Sequence, residues 1–399
     1  MNLVSLLLFV AVFVPSAYWF TLALASVRPP GKPEVAGREP QNKFAVVIPA
    51  HDEEHVIEST VSKLLEQNYP RRLYNVFVVA DFCTDLTAQR ARKAGALVLE
   101  RKDGARTGKG GALSWAFEKI FTMADNYDAA IIFDADTRVE ANFLKIIEAR
   151  LAQGECAIQG QHIISNPGSG WFPALTWAMF MVDNRFQNLG RSNLGWSAKH
   201  MGDSICFRSD VLKKLGWGQG LTEDYQLRQR LLLEGIRIVY EPYAIGYGEA
   251  ALTWKQAQTQ RFRWLRGVQD ANRQLESELY SAWLRRRTGL LVDGLLQAFT
   301  PSYSTLALVS MILLIFQIAI NVLLQPVFSP LLLIFWGLLV SLLILYPLLG
   351  LALERAPIRA YVAIMLGFVF IFWRTWLALK VRFHNKPIAW VRTDHRGTQ

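Results

Sequence analysis

The chain has 399 residues, with 43 Lys and Arg against 33 Asp and Glu for a net charge of +10, and three cysteines. Cys83, Cys156 and Cys206 have neither metal-ligand spacing nor the density of a disulfide framework, which excludes a stapled secreted scaffold and fits a reduced compartment. The basic residues cluster beside apolar stretches, where attraction to anionic headgroups accounts for them, so nucleic acid is excluded as a partner.

From Leu3 to Ala25 there is no charge, which predicts a membrane helix within residues 1–27. A cleaved signal peptide would need a basic start and a small-residue cleavage site before Val27-Arg28, and has neither. Arg28, Lys32, Arg38 and Lys43 follow this span, the first three in a turn-rich linker over 28–42, so the positive-inside rule puts the N-terminus outside and the middle domain, 43–288, in the cytosol.

Within that domain strand and helix signals alternate. Phe44–Ile48 reads as a buried strand, Glu53–Gln67 as a helix, Tyr74–Ala80 as a strand, Asp85–Ala94 as a helix, Ala96–Leu99 as a short strand, Gly110–Phe121 as a helix and Ala129–Phe133 as a strand. Such repetition predicts an α/β domain with a mostly parallel sheet. Beyond Arg150 the pattern loosens. Thr222 reads as an N-cap with Glu223 and Asp224 in the first turn, where the helix dipole would keep Asp224 ionised. A further helix is predicted from Thr253 to Asp270, with Gln260, Arg263 and Trp264 on one face.

After Arg285-Arg286-Arg287, residues 289–384 hold two spans, near 305–324 and 330–353, and a third candidate at 360–379 with Arg374 inside it. The link at 325–330 is then outside and Glu354–Arg359 inside. The tail, 385–399, is expected in the cytosol, so either 360–379 re-enters or lies at the interface, or 289–303 hides another pass.

Two motifs fail on context. His51-Asp-Glu-Glu-His55 matches an inverted zinc-peptidase pattern, but it starts two residues after a strand-ending proline and lacks a third ligand. Gly104–Gly110 is one residue short of a phosphate loop and has Gly110 where a hydroxyl should hold the metal. What remains is an ordered series: Pro49-Ala-His-Asp52-Glu53, Asp81-Phe-Cys-Thr-Asp85, Gly108-Lys109-Gly110 and Asp134-Ala-Asp136. Three of these fall at strand carboxyl ends, where one nucleotide could touch all of them. Alternation along a strand would aim Asp134 and Asp136 at one Mg²⁺ or Mn²⁺, and Lys109 would supply charge near phosphate.

With Thr222-Glu-Asp224 and Gln260-Arg-Phe-Arg-Trp264 downstream, the series over 44–270 resembles that of membrane-bound family-2 glycosyltransferases with a GT-A catalytic domain, the branch of cellulose, chitin and hyaluronan synthases and ceramide glucosyltransferase. Trp390-Val-Arg-Thr393 is similar to tails of bacterial members, whereas His51 and Asp52 depart from the family's Tyr-Asn. The resemblance implies an inverting hexosyltransferase of the cell membrane that moves a sugar from a UDP-sugar to a lipid or glycan. By position it assigns Glu53 and Asp81 to the nucleoside, and Lys109, Asp134, Arg261 and Arg263 to the diphosphate side. It assigns Asp136 with Asp134 to the metal, Asp224 with Glu223 to catalysis, and Trp264, Gln260, Gly202 and Asp203 to the acceptor. Alternatives are a processive polysaccharide synthase, for which four membrane helices make a narrow scaffold, and an inactive homologue serving as scaffold, which would have lost Asp136 or Asp224.

Overall fold

A computed structural model of the chain describes residues 1–33, 39–218, 220–324 and 327–382. Expectations that rest on Arg38, on Gln325 and Pro326 of the outer link, and on the 385–399 tail with Trp390–Thr393 lie outside the described residues.

The apolar runs become strands β1 (Phe44–Ala50), β2 (Tyr74–Asp81), β3 (Leu97–Arg101) and β4 (Ala129–Ile132). They are joined by β5 (Arg138–Val139), β6 (Ala157–Ile164), β7 (Ile205–Arg208) and β8 (Val239–Gly248). Among the described residues these form one sheet in the order β3-β2-β1-β4-β7-β6-β8-β5. The first four in that order are mutually parallel, whereas β7 runs antiparallel to both β4 and β6. Alternate residues of β1 enter opposite layers: Phe44, Val46 and Ile48 pack with Ile57, Val61 and Phe143, while Ala45 and Val47 pack with Leu113, Phe117 and Phe207. Burial on both faces is why the strand is apolar throughout. The helix after β4 and the long helix Trp254–Arg286 bracket the loosened half of the domain. The latter runs well past the expected end at Asp270. Thr253 and Gln256 cap it reciprocally, and its mid-portion is polar, held by pairs such as Arg266–Asp270 (3.1 Å), so no apolar stripe announced its length.

Among the described residues three helices are long and apolar enough to cross a membrane: Asn2–Ala25, Tyr303–Leu323 and Pro330–Leu353. Val12, Leu306, Trp336 and Leu339 pack them together. The third candidate is a pair, Ile358–Leu366 and Phe368–Arg382, with a 53° bend between. Gly289–Phe299 spans 11 residues, roughly 16 Å, too short for a further pass.

The first helix also docks on the catalytic sheet's helices. At Gly190 a Cβ would lie 2.3 Å from the Leu22 carbonyl oxygen, so only glycine allows this approach. Beside it, the fully buried Asp293 accepts from Tyr18 Oη (2.7 Å), Arg191 Nε (3.0 Å) and Arg228 Nη2 (2.9 Å). Four segments therefore meet on one carboxylate. Asp293→Ala would leave two guanidiniums buried without their counter-charge, a loss of about 3–5 kcal/mol. Thermal unfolding of the detergent-solubilised variant should show a clear drop in midpoint; an unchanged midpoint would remove this network from the stability account.

Candidate active site

Beyond the carboxyl ends of β1, β2 and β4 lies a cavity of about 270 Å³. The strand ends contribute Glu53, Asp81, Asp134 and Asp136, and the first turn of the Lys109–Ile120 helix contributes Lys109. The turn before β7 adds Gly202 and Asp203, the start of the Glu223–Leu233 helix adds Glu223 and Asp224, and the long helix adds Gln260, Arg261, Arg263 and Trp264. All the sequence-predicted residues thus border a single space.

The turn after β1 explains why the next helix starts at Ile57 rather than Glu53. Backbone N–H groups of Glu53 and Glu54 donate to Thr87 Oγ1 (2.7 Å) and Asp85 Oδ2 (3.1 Å), and Thr84 N donates to Asp52 Oδ1 (2.7 Å). Asp52 and Phe82 both hold positive φ here, so the two strand ends are interlocked in shape as well as by hydrogen bonds. Asp81 lies between: its Oδ1 accepts from Arg101 Nη1 at 2.9 Å, with both side chains buried. Arg101, the last residue of β3, was not anticipated, because its partner is twenty residues away on another strand.

Asp134 and Asp136 face the cavity, but not through strand alternation. β4 ends at Ile132, and Thr137 N donates to Asp134 O (3.1 Å), so a turn aims the two side chains. The Lys109 ammonium donates to Asp134 Oδ1 and, at 2.7 Å, to the Gly202 carbonyl. Gly202 sits at φ +81°, and a Cβ there would lie 3.4 Å from Asp224 Oδ2 and 3.8 Å from Lys109 Nζ. One ammonium therefore connects the Asp134 side of the cavity to the Asp224 side. Burial alone would lower the Lys109 pKa, yet Asp134 and Glu223 hold it above its ordinary value.

Asp203, expected to touch the acceptor, is engaged elsewhere: it accepts from Asp134 N (2.9 Å), Thr137 Oγ1 (3.0 Å), Ser204 Oγ (3.0 Å) and the His162 ring (Nδ1, 2.7 Å). Its carboxylate braces the acidic turn. His162, on β6, also lines the cavity, and no local pattern marks it in sequence. Burial opposes its protonation, but Asp203, then Asp134 and Asp136, raise its pKa above the usual value.

The helix dipole does not dominate at Asp224. Burial raises its pKa, against the Tyr225 N–H, Lys109 and Arg263, and burial with the Asp224 charge pushes Glu223 up to about 7. Thr222 begins the helix without capping it: its hydroxyl is buried without a partner among the described residues and packs against Gly267 of the long helix.

For a divalent cation, the Asp134 and Asp136 carboxylates that line the cavity offer the hard oxygen donors that suit Mg²⁺ or Mn²⁺. A second group, His51, Asp52 and Cys83, has ligand atoms within 4.8 Å of one another. Its members serve the strand-end turns, with His51 Nδ1 on the Asp81 carbonyl (2.7 Å), and burial pushes the Cys83 thiol up to about 11, away from the thiolate that binds metal. The zinc-peptidase pattern does not assemble: the exposed His55 sits by Glu54 instead.

The family described as "Glycosyltransferase like family 2" matches residues 40–267. The chain is 28% identical over 246 residues to a probable glycosyltransferase, YdaM, of Bacillus subtilis, covering 57% of this chain and 55% of that one. It is 27% identical over 231 residues to a beta-monoglucosyldiacylglycerol synthase of Nostoc, covering 56% and 48%. The chain thus spans about half the length of the curated relatives it matches. The mannosyltransferase PcManGT of Pyrobaculum calidifontis, solved in complex with GDP-Man and Mn²⁺, superposes with a TM-score of 0.62 at 16% identity over 96% of this chain and 99% of that one. The fold is accordingly a GT-A-type α/β catalytic sheet flanked by apolar helices. By the extent of the family match, the chain belongs to glycosyltransferase-like family 2.

Gly202→Ala forces a side chain into left-handed backbone between Lys109 and Asp224. Transfer turnover should fall about 10- to 100-fold, as for an ångström-scale misplacement at a reacting centre. Steady-state kinetics of the purified variant would check this; wild-type turnover would show that the Lys109–Gly202–Asp224 contact is dispensable.

Proposed function

We propose that this chain transfers a sugar from a UDP-sugar to a hydroxyl of a lipid acceptor in one inverting displacement, with residues 43–288 on the cytosolic side of a membrane that it crosses several times. The observation that carries the reading is the meeting of Asp134, Lys109 and Asp224 across Gly202 in a cavity that Trp264 also borders. The acceptor class is supported by the glycolipid-synthase names of relatives and by helices of membrane length beside the site. Those three helices and one bent pair leave little scaffold for a polymer channel, which favours transfer of one or a few sugars over processive synthesis.

In this reading Glu53 and Asp81 hold the nucleoside, with Asp81 kept in place by Arg101. Lys109 and Arg263 face the diphosphate, and their charges reach the acidic pair as well. Asp136, with Asp134, would hold Mg²⁺ or Mn²⁺, which would supply neutralising charge to the departing diphosphate; the metal named with PcManGT supports that assignment. Asp224 takes the proton of the acceptor hydroxyl as its oxygen attacks the anomeric carbon from the face opposite UDP. Burial makes Asp224 a stronger base than an exposed carboxylate. Trp264 and Gln260 support the acceptor.

Asp224→Asn should cut turnover by about 10²–10⁴-fold, the usual worth of a general base. Calorimetric UDP affinity should stay within about threefold; loss of nucleotide binding together with turnover would move Asp224 out of the base role.

The pH dependence follows from the shared acidic pair. Its folded-state pKa values are raised, Glu223 to about 7, so the ionised form is depleted as pH falls through neutrality. Because Glu223 takes its proton beside an ionised Asp224, turnover should decline as Asp224 itself protonates, above the range of an exposed aspartate, approaching tenfold per unit for a one-proton limb. A flat profile down to about pH 5 would mean that the pair ionises like exposed carboxylates.

A further inference from the structure

Arg261 and Arg263 are two residues apart but serve different ends of the cavity. The charges that reach Glu223 include Lys109 and Arg263, whereas those that reach Arg261 are Arg374 and Asp183. The Arg261 guanidinium lies over two rings, 5.6 Å from the centroid of Phe172 and 4.7 Å from that of Phe370. Phe370 belongs to the bent helix pair, which also carries Arg374.

Among the described residues neither Arg261 nor Arg374 has a carboxylate within ion-pair distance. Asp183, whose charge reaches both, is already bonded to Lys199 Nζ at 3.1 Å. Three cations thus surround one carboxylate. Burial, then the Arg374 charge, pushes Arg261 down to about 9, with Asp183 opposing the shift. On the same cavity wall the Thr176 hydroxyl, 7% exposed as a residue, has no hydrogen-bond partner among the described residues. Guanidiniums left without an anion in a desolvated aromatic setting are costly, and a phosphate with its tetrahedral oxygens matches both their fork geometry and a free hydroxyl donor.

The surroundings indicate what carries that phosphate. Phe172, Phe370, Trp373 and Trp254 make an aromatic floor, with Trp254 and Trp373 centroids 4.4 Å apart. Outward from it the bent pair exposes Val362, Met365, Val369 and Phe372, a surface for acyl chains rather than water.

Resting on the reading of Asp224 as the base, we propose that Arg261, Arg374 and Thr176 bind the phosphate of an anionic lipid acceptor, with its chains against the bent helix pair and its headgroup hydroxyl directed to Asp224. No bond to phosphorus forms or breaks. The hydroxyl oxygen joins the anomeric carbon, its proton goes to Asp224, and the bond to the nucleoside diphosphate breaks.

The test is binding of dodecyl phosphate to the full-length protein in dodecyl maltoside micelles, followed by tryptophan fluorescence. Saturable binding at least tenfold tighter than that of dodecanol is expected. R261Q and R374Q should each weaken it tenfold or more, T176V about threefold, and R261K less than R261Q, while UDP affinity stays within twofold in all four. Inorganic phosphate at the same concentration should compete poorly, which separates a lipid phosphate from a free anion. Equal binding of dodecyl phosphate and dodecanol, equal competition by inorganic phosphate, or a parallel loss of UDP affinity in R261Q would overturn the proposal; the last would return Arg261 to the donor diphosphate. D224N should bind dodecyl phosphate as wild type does. Persistent transfer by D224N would sink the base assignment while leaving this binding result to stand or fall alone.

Discussion

The Asp293 carboxylate fixes how the helices of the sheet domain meet the apolar helices. It is the shared acceptor for Tyr18 of the first helix, Arg191 behind the sheet and Arg228, one turn beyond Asp224 on the same helix. Burying such ions is expensive, and two arginines to one aspartate would be untenable without the further bonds from Arg228 to the Ala198 and Ser197 carbonyls and from Arg191 to Gln187. The leucine-rich faces of the apolar helices can slide past one another at little cost, whereas the directional bonds of this network fix one arrangement, even with Arg228 Nη1 buried without a partner among the described residues. It sets the position of the Glu223–Leu233 helix relative to the helix Asn2–Ala25, and hence where the acidic pair stands relative to the apolar helices.

The site itself depends on alternating charge. Lys109 stands between Asp134 and the Glu223–Asp224 pair, and Asp203 ties the acidic turn to His162. The acids on the two sides experience this arrangement differently. Asp203, saturated with donors, is held below the usual carboxylate range despite burial, while Asp224, with fewer donors, is raised. The difference separates a bracing carboxylate from one able to take a proton.

What was legible in the sequence was local. β1, β2 and β4 could be read because a strand buried on both faces is apolar throughout, although β1 runs through Pro49 to Ala50 instead of halting before the proline. The acids at those ends followed from the parallel arrangement, since parallel strands bring their carboxyl ends to one edge. The contacts that were not legible join distant segments: Arg101 with Asp81, His162 with Asp203, and Arg261 with Phe370. Nothing in the residues flanking any of them depends on its partner. The dipole argument for Asp224 left out a larger influence for a related reason, since the dipole is a property of one helix and desolvation is a property of everything packed around it.

The long helix shows why that non-local layer matters. Its Gln260–Trp264 segment presents Arg263 to the acidic pair and Arg261 to the aromatic floor beneath the bent helices. Two residues apart within one turn, the arginines leave the helix on nearly opposite sides, one toward the acidic pair and one toward the aromatic floor, with Trp264 between solvent and cavity. Because the rod is continuous through 33 residues, a displacement at one end of this segment is carried to the other. The same helix meets the Thr222 side chain at Gly267, where any larger residue would press on the start of the base-bearing helix. The helix that carries Arg261 therefore also packs on the start of the helix that carries Asp224.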